Sequence, residues 1–431
     1  MNAFKSTAIS RPLNGFLLLA LMLPAASSRG QIAAGKEKFL GCIIQSGGSI
    51  PRSWPTYWNQ VTPENAGKWG SVEYSRDSYN WTELDKAYNY AKTNGYPFRF
   101  HCLVWGKQQP GWIADLDSAQ QAEEVEEWIR MAGERYPEAD YVEVVNEAIE
   151  FQPYDYYPSY RNALGGGGAT GWDWVIRAFE IAREAFPDSK LLLNEYNLFG
   201  GAKSITTYLT IANLLKDRGL IDGICEQGHF LETIGAATIK SRLDQMAATG
   251  LPIQITEFDL NIADDTAQLN KYKAIFPALW EHPAVEGITF WGYIQGSMWR
   301  TDGWLLSSRG VERSALVWLK DYIANWTSAV SGPGEAAGPG GYGILPNFPN
   351  PFNPSTSIRF TLPVEGRADV AVLDLSGRLV RTLASGRRAA GLHTVLWNGL
   401  DDAGAAVPAG LYFCRMNAGP FSGTRKLTLV K

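Results

Sequence analysis

The sequence predicts a (β/α)8 barrel of the α/β class followed by a small all-β sandwich. Three observations carry this: eight short apolar runs alternating with amphipathic stretches between residues 39 and 325, a Gly/Pro/Ala-rich interruption at 331–343, and a tail of short alternating runs parted by turn residues. At 431 residues the chain has room for one large barrel and a modest second domain. Hydrophobic residues make up 45% and charged residues 19%, a globular composition with material for a sizeable core.

Residues 1–30 read as a signal peptide. Lys5 and Arg11 supply positive charge, residues Gly15 to Leu23 an apolar centre, and the small residues from Pro24 onward a cleavage region. The apolar run is too short for a bilayer, which needs about 20 residues, so a secreted or cell-surface location is expected rather than a membrane span. The barrel is expected over 31–328. Its strand runs are FLGCIIQ (39–45), YWNQVT (57–62), FRFHCLVW (98–105), YVEVVNE (141–147), KLLLNEY (190–196), GICEQGH (223–229), PIQITEF (252–258) and GITFWGY (287–293). Between them, AEEVEEWIRMAGERY (122–136), WDWVIRAFEIAREAF (172–186) and TTYLTIANLLKDRG (206–219) repeat apolar residues every three or four positions, the period of a helix with one buried face. The span suits a barrel of roughly 250 residues with some loop insertion. A linker is expected over 329–344, where Gly and Pro dominate. The sandwich, 345–431, is read from SIRFTL (357–362), ADVAVLDL (368–375), HTVLWNG (393–399), GLYFCRM (410–416) and RKLTLVK (425–431).

Composition also narrows the partners. The formal net charge is −5 and no Lys/Arg run occurs, which removes the electrostatic footprint that nucleic acid or an anionic membrane requires. Four cysteines lie scattered without metal-ligand spacing and are expected as free, buried thiols, and nothing calls for a metal or a cofactor. Sixteen Trp and 19 Tyr suit a groove whose walls stack on sugar rings, although core packing can also absorb them.

In a barrel of this kind, catalytic side chains sit where strands end. The second run is followed by Glu64, Asn65 and Lys68; the third carries His101 and Trp105, then Gln108. The fourth ends in Asn146 and Glu147, the fifth in Asn194, Glu195 and Tyr196, the sixth in Gln227 and His229, the seventh in Glu257 with Asp259 beyond it, and the eighth in Trp291. Apolar runs closing on carboxylates, amides and imidazoles describe a polar cleft. Glycoside hydrolysis needs two carboxyl groups about one anomeric carbon, one protonated and one ionised. Glu147 and Glu257, on the fourth and seventh of eight strands, can face each other across the barrel mouth. Glu195 and Asp259 are read as structural, and His282 and His393 as having no role in the site.

The stretches TPENAGKW (62–69), HCLVWGKQQPGW (101–112), VVNEA (144–148), NEYN (194–197), IDGICEQGH (221–229), ITEFD (255–259) and WGYIQGSMW (291–299) together resemble glycoside hydrolase family 10, the endo-β-1,4-xylanases, across nearly all of 39–325. The resemblance implies cleavage of xylan or xylo-oligosaccharides with retention of configuration, Glu147 as acid/base and Glu257 as nucleophile. It also implies that Asn146 bonds the sugar 2-hydroxyl and that His229 orients the nucleophile. Glu64, Asn65, Lys68, His101, Trp105 and Gln108 would line the glycone subsites, with Asn194, Tyr196 and Gln227 also on substrate and Trp291 and Trp299 walling the cleft. Two positions depart from the family pattern: Gly106 stands where a second His is usual, and Gln295 where an acid is common. The alternatives are a related retaining β-glucanase and a non-catalytic polysaccharide-binding surface protein.

The tail, with LPNFPNPFNPSTSIRFTLP (345–363), DLSGRLVRTL (374–383) and GLHTVLWNGLDDAG (391–404), resembles the sorting domains of the type IX secretion pathway and the immunoglobulin-like domain of flagellar hook-capping proteins. That resemblance implies secretion machinery as its partner. A solvated appendage and a carbohydrate-binding module are the other readings, the latter weakened because Trp397 is the one tryptophan in the tail. A monomer is expected.

Overall fold

A computed structural model of the chain describes residues 31–150, 160–326 and 342–430, apart from 346, 348, 349 and 351. The expected signal peptide and all but the last residues of the expected linker lie outside the described residues. Eight parallel strands form one sheet: β1 (Phe39–Ile44), β2 (Val61–Pro63), β3 (Arg99–Phe100), β4 (Tyr141–Asn146), β5 (Lys190–Glu195), β6 (Gly223–Glu226), β7 (Ile253–Phe258) and β8 (Val285–Phe290). Their order is β2-β1-β8-β7-β6-β5-β4-β3, and a parallel bridge between Val61 and Phe98, with Val61 N–H donating to Pro97 O at 2.9 Å, joins the two ends into a barrel. Such strands are covered on both faces, which is why they read as continuous apolar runs.

Short helices α1 (Trp54–Tyr57) and α2 (Trp69–Val72) flank β2, and seven longer ones follow the strands: α3 (Thr82–Asn94), α4 (Ser118–Arg135), α5 (Asp173–Ala185), α6 (Ala202–Lys216), α7 (Ala236–Ala247), α8 (Asp265–Trp280) and α9 (Ser314–Asn325). Local chemistry sets their ends. Asp117 accepts from Gln120 N–H at 3.0 Å while the Gln120 side chain accepts from Asp117 N–H at 3.2 Å, a reciprocal cap that starts α4. Gly95 closes α3 in the left-handed conformation at φ 68°. The buried stripe of α4 includes Val125, Trp128, Ile129 and Ala132, and the Trp128 indole donates to Leu103 O at 2.9 Å, so the helix is tied to the third wall of the barrel.

Two strand expectations need correction. The run at 57–62 yields a strand at Val61–Pro63 alone, because Pro55 at the first helical positions favours the turn of α1 over 54–57. The run at 98–105 pairs as a strand over Arg99–Phe100 only. Beyond it the backbone turns aside and rejoins the sheet through Val104, whose N–H donates to Val144 O at 2.9 Å. That detour frees His101 and Trp105 from a strict inward and outward alternation.

The tail folds into two antiparallel sheets. One has the order β13-β10-β9, from β9 (Gly343–Ile344), β10 (Thr356–Leu362) and β13 (Gly391–Trp397); the other has the order β12-β11-β14-β15, from β11 (Gly366–Leu373), β12 (Leu379–Arg388), β14 (Gly410–Ala418) and β15 (Phe421–Leu429). Alternate residues of β10 are buried, and Ile358, Phe360, Val370, Val372, Trp397, Cys414, Met416 and Leu427 fill the core. Five of these strands follow the sequence reading. β12 departs from it because only Ala384 of its ten residues is buried, and β9 lies in the span assigned to the linker yet pairs with Phe360 and Thr361. The four cysteines are free and buried.

Candidate active site

The C-terminal ends of the barrel strands gather the polar residues that the sequence singles out. Glu147 closes β4 with its backbone in the left-handed region, φ 55°, and its N–H donates to Asn194 O at 2.9 Å. That turn swings the carboxylate into the mouth of the barrel. Its Oε2 accepts the Trp105 indole N–H at 2.7 Å and its Oε1 accepts the Gln227 amide at 2.8 Å. Glu257, on β7, accepts the Asn194 amide at 2.9 Å on Oε1 and lies 3.3 Å from His229 Nε2 through Oε2. The two carboxylates are joined by an amide relay. Asn146 Oδ1 accepts from Asn194 Nδ2 at 2.9 Å and from Gln227 Nε2 at 3.4 Å, so one side of the relay holds each glutamate.

The relay supports two glutamates in opposite electrostatic settings. Burial raises the Glu147 carboxyl above its ordinary range, aided by the negative charge of Glu257; the hydrogen bonds from Gln227 and Trp105 only partly offset this. Burial would raise Glu257 too. There the His229 hydrogen bond and the positive charges of His101, His229 and Lys68 outweigh it and hold the carboxyl below the ordinary range. His229 can supply that charge because Asp259 stands 3.2 Å from its Nδ1: burial alone would lower the imidazole, but Asp259 and Glu257 raise it to about 9. Asp259 is in turn fixed by Arg300 at 2.7 Å and by the Trp299 indole N–H at 2.7 Å.

On the β2 and β3 side, Lys68 donates to Asn65 at 2.8 Å and to Gln108 at 2.7 Å, with its ammonium 4.8 Å from the centre of the Trp105 ring. Burial lowers the Lys68 pKa and raises that of Glu64. His101 is turned by Glu143, 2.6 Å from its Nδ1, and Glu143 pairs with Arg99 at 2.9 Å in the barrel interior. The His101 Nε2 and the Asn146 Nδ2 have no protein partner among the described residues, which leaves both for a ligand. Trp291, 6% exposed, packs between the rings of His101 (5.1 Å) and His229 (6.3 Å). Tyr196 is half-buried and its hydroxyl donates to Glu150.

Asn194 is a correction. Placed on substrate from sequence, it has no exposed surface. Its amide serves Asn146 and Glu257 while its oxygen accepts from Thr256 at 2.7 Å, so it positions the carboxylate. Gln227 likewise spends its N–H groups on Glu147 and Asn146. Glu195 is buried and accepts the N–H groups of Ile149 at 3.0 Å and Tyr196 at 3.1 Å, a structural duty. Sequence reasoning leaves out Glu143 and Arg300, whose roles come from contacts between elements far apart in the chain. Gln295 is exposed on the loop after β8 and Gly106 is buried beside Trp105. Among the described residues, His101, Glu143 and Glu257 bring ligand atoms within 4.8 Å of one another, but His101 and Glu143 are bound to each other and Arg99 neutralises the pair.

The chain is similar to known proteins along both of its regions. Endo-1,4-beta-xylanase B of Cellvibrio japonicus is 38% identical over 291 residues, 67% of this chain and 46% of that protein. The anti-sigma-I factor RsgI6 of Acetivibrio thermocellus is 26% identical over 297 residues, 66% of this chain and 36% of that protein. The chain thus spans less than half the length of these two relatives. The solved structure of xylanase 10B from Thermotoga petrophila in complex with xylobiose matches with a TM-score of 0.58 at 27% identity, covering 67% of this chain and 94% of that one. The FlgD Ig-like domain profile matches residues 352–419, within the sandwich. The profile of glycosyl hydrolase family 10 matches residues 31–326, the whole of the barrel, and the chain belongs to that family.

Proposed function

We propose that the chain hydrolyses internal β-1,4-xylosidic bonds of xylan with retention of configuration, with Glu257 as nucleophile and Glu147 as acid/base. The observation that carries this is the opposite shift of two carboxyls joined by one amide relay: Glu147 raised, Glu257 lowered. In the first step Glu257, ionised, attacks the anomeric carbon while Glu147 gives its proton to the departing glycosidic oxygen. The C–O bond to the leaving chain breaks and an ester to Glu257 forms. In the second, Glu147, now ionised, takes a proton from water, whose oxygen attacks the anomeric carbon from the face the leaving chain vacated, so that the ester C–O bond to Glu257 breaks and the original configuration is restored. His229, held cationic between Asp259 and Glu257, keeps the nucleophile ionised, and the free amide of Asn146 is placed to bond a hydroxyl of the reacting sugar. Glu64, Asn65, Lys68, His101, Trp105 and Gln108 form the glycone wall, and Trp291 and Trp299 close the cleft. Reducing-sugar release tests the reading: xylan should be cleaved well and carboxymethyl cellulose poorly, with the β-anomer formed first by NMR. No cleavage of xylan would remove the substrate assignment, and the reverse preference would favour a β-glucanase.

One relative, 26% identical over 297 residues, is named as an anti-sigma factor and not as a hydrolase, which supports a non-catalytic polysaccharide-binding surface protein as the second reading. Xylan binding without turnover would favour it. For the tail, we propose export through the type IX pathway following cleavage of an N-terminal signal peptide, with the enzyme a monomer outside the cell. Its support is the motif set of 345–431 and the immunoglobulin-like fold. A reporter fused to 345–431 should leave the cell, and its retention in the periplasm would overturn the proposal.

A further inference from the structure

The net charge of −5 is made of unlike parts. Residues 31–328 carry 26 Lys and Arg against 38 Asp and Glu, a net −12, whereas residues 345–431 carry ten against five, a net +5. The five acids of the sandwich already have partners. Glu365 pairs with Arg387, Asp369 with Arg367, Asp374 with Arg378 and Asp402 with Arg381, while Asp401 accepts the N–H groups of Ala403 and Ala405. Some of the surplus cations meet neutral groups: Arg388 lies 5.9 Å from the centre of the Phe360 ring, and Arg425 donates to Ile344 O at 2.9 Å. Arg415 and Lys426 are exposed, and among the described residues their side chains make no hydrogen bond or ion pair.

The hairpin of β14 and β15 puts these two cations on one surface. Tyr412, Cys414, Met416 and Ala418 of β14 are buried in the core, so Leu411, Phe413, Arg415 and Asn417 point away from it. The antiparallel register sets Lys426 opposite Phe413, Thr424 opposite Arg415 and Thr428 opposite Leu411. Partners across such a ladder lie about 5 Å apart and diagonal neighbours about 7–8 Å apart. Phe413, half-buried and outside the core, therefore stands between the two cations, with hydroxyl side chains along the next strand. No Asp or Glu occurs between Gly410 and Leu429. A ring to stack on a pyranose, two unpaired cations for a carboxylate and a row of hydroxyls are what recognition of an acidic sugar requires. We propose that the outer face of the β14–β15 hairpin binds the uronic acid branches of a xylan, with Arg415 and Lys426 on the carboxylate and Phe413 against the sugar ring. The choice of xylan rests on the glycanase reading above, and the choice of an acidic sugar rests on this face. A barrel of net −12 repels an acidic chain, and the sandwich offers the opposite sign.

Affinity electrophoresis of the full chain tests this, run through gels holding glucuronoxylan or the same polymer after its carboxyl groups are reduced. A Glu257→Ala background spares the polymer from cleavage. The acidic polymer should bind about tenfold more tightly than the reduced one, and Arg415→Gln combined with Lys426→Gln should abolish that difference. Arg378→Gln combined with Arg387→Gln removes equal charge from exposed positions elsewhere in the sandwich and should preserve it. Phe413→Ala should weaken binding about threefold and Phe413→Tyr should not. Equal losses in the two double variants would mean diffuse attraction without a site, and equal binding of the two polymers would mean that no carboxylate is read; either result overturns the inference and leaves the glycanase reading standing. Binding to phosphatidylglycerol vesicles and not to glucuronoxylan would assign the face to a lipid surface and overturn it as well. Cleavage of neutral xylopentaose is read separately, and with Glu257 intact Arg415→Gln/Lys426→Gln should stay within about twofold of wild type. Wild-type protein inert on xylopentaose would overturn the glycanase reading alone, since the preference for the acidic polymer is decided in the gels.

Discussion

The barrel and the sandwich solve the same problem of burying a sheet, and they treat charge in opposite ways. Inside the barrel, Lys68, Arg99, His101, Glu143, Glu147, Glu195, Glu226, His229, Glu257 and Asp259 are all buried. In the sandwich the buried polar residues described are Asn347 and Thr356, neither of them charged, and the Asn347 amide donates to the Thr356 hydroxyl at 2.9 Å. Taking a charge out of water costs several kcal/mol unless it is paired, and the sandwich keeps its charges outside. The barrel concentrates that cost at one rim, where desolvation separates the protonation states of two glutamates.

Removing the proposed nucleophile should have the largest effect. Glu257→Ala is expected to reduce kcat by about 10^4-fold or more on every substrate, measured with xylan and with an aryl β-xylobioside. Glu147→Ala should cost about 10^2- to 10^4-fold on xylan but far less in the first step on a dinitrophenyl glycoside, whose phenol departs without a proton. The pH dependence sharpens this contrast. In the proposed reaction Glu257 works ionised, so its lowered pKa pushes the acid limb of kcat/KM down, and Glu147 works protonated, so its raised pKa pushes the alkaline limb up. The alkaline limb should be absent from the Glu147→Ala profile with the dinitrophenyl substrate.

In the sandwich, Trp397 is fully buried against Phe352 and Tyr412, and Trp397→Ala should destabilise that domain by about 3–5 kcal/mol. Calorimetry should show the loss while xylan turnover stays unchanged; a matching fall in activity would break the separation between the two domains.

A weaker effect links pH to stability. Burial pushes Glu226 up to about 8, and Glu195, opposite it in the register of β5 and β6, is also raised by burial. A folded pKa above the unfolded one contributes stability that is fully present below the unfolded value and lost as pH rises through the folded value. For Glu226 that window runs from about 4.5 to about 8, and for His229 from 6.5 to about 9. The barrel's melting temperature should fall between pH 5 and pH 9 and the sandwich's should not; Glu226→Gln should flatten part of the barrel's slope. A barrel whose melting temperature is unchanged over that range would contradict the assignment.

Much of this molecule is legible in its sequence. β4, β5 and β7 are apolar-rich runs that close on polar residues, and that pattern is enough to put Glu147 and Glu257 at the ends of their runs. The third run overstates β3 because FRFHCLVW is apolar enough for a strand throughout, and nothing local announces that the backbone leaves the ladder after Phe100. β12 is hidden for the opposite reason: an edge strand with one buried residue carries hardly any apolar signal.

Strand period and apolar content are local properties of the chain, and they suffice for the two architectures and for naming the side chains that stand at the barrel mouth. They cannot assign a proton. Glu147 and Glu257 are the same residue at the end of similar strands. They differ because Trp105 and Gln227 flank one in a desolvated turn, while His229, Asp259 and Arg300, from β6, β7 and the loop after β8, converge on the other. Electrostatic energy depends on distance through space and on exclusion of water, and those are settled only when elements far apart in the chain pack together.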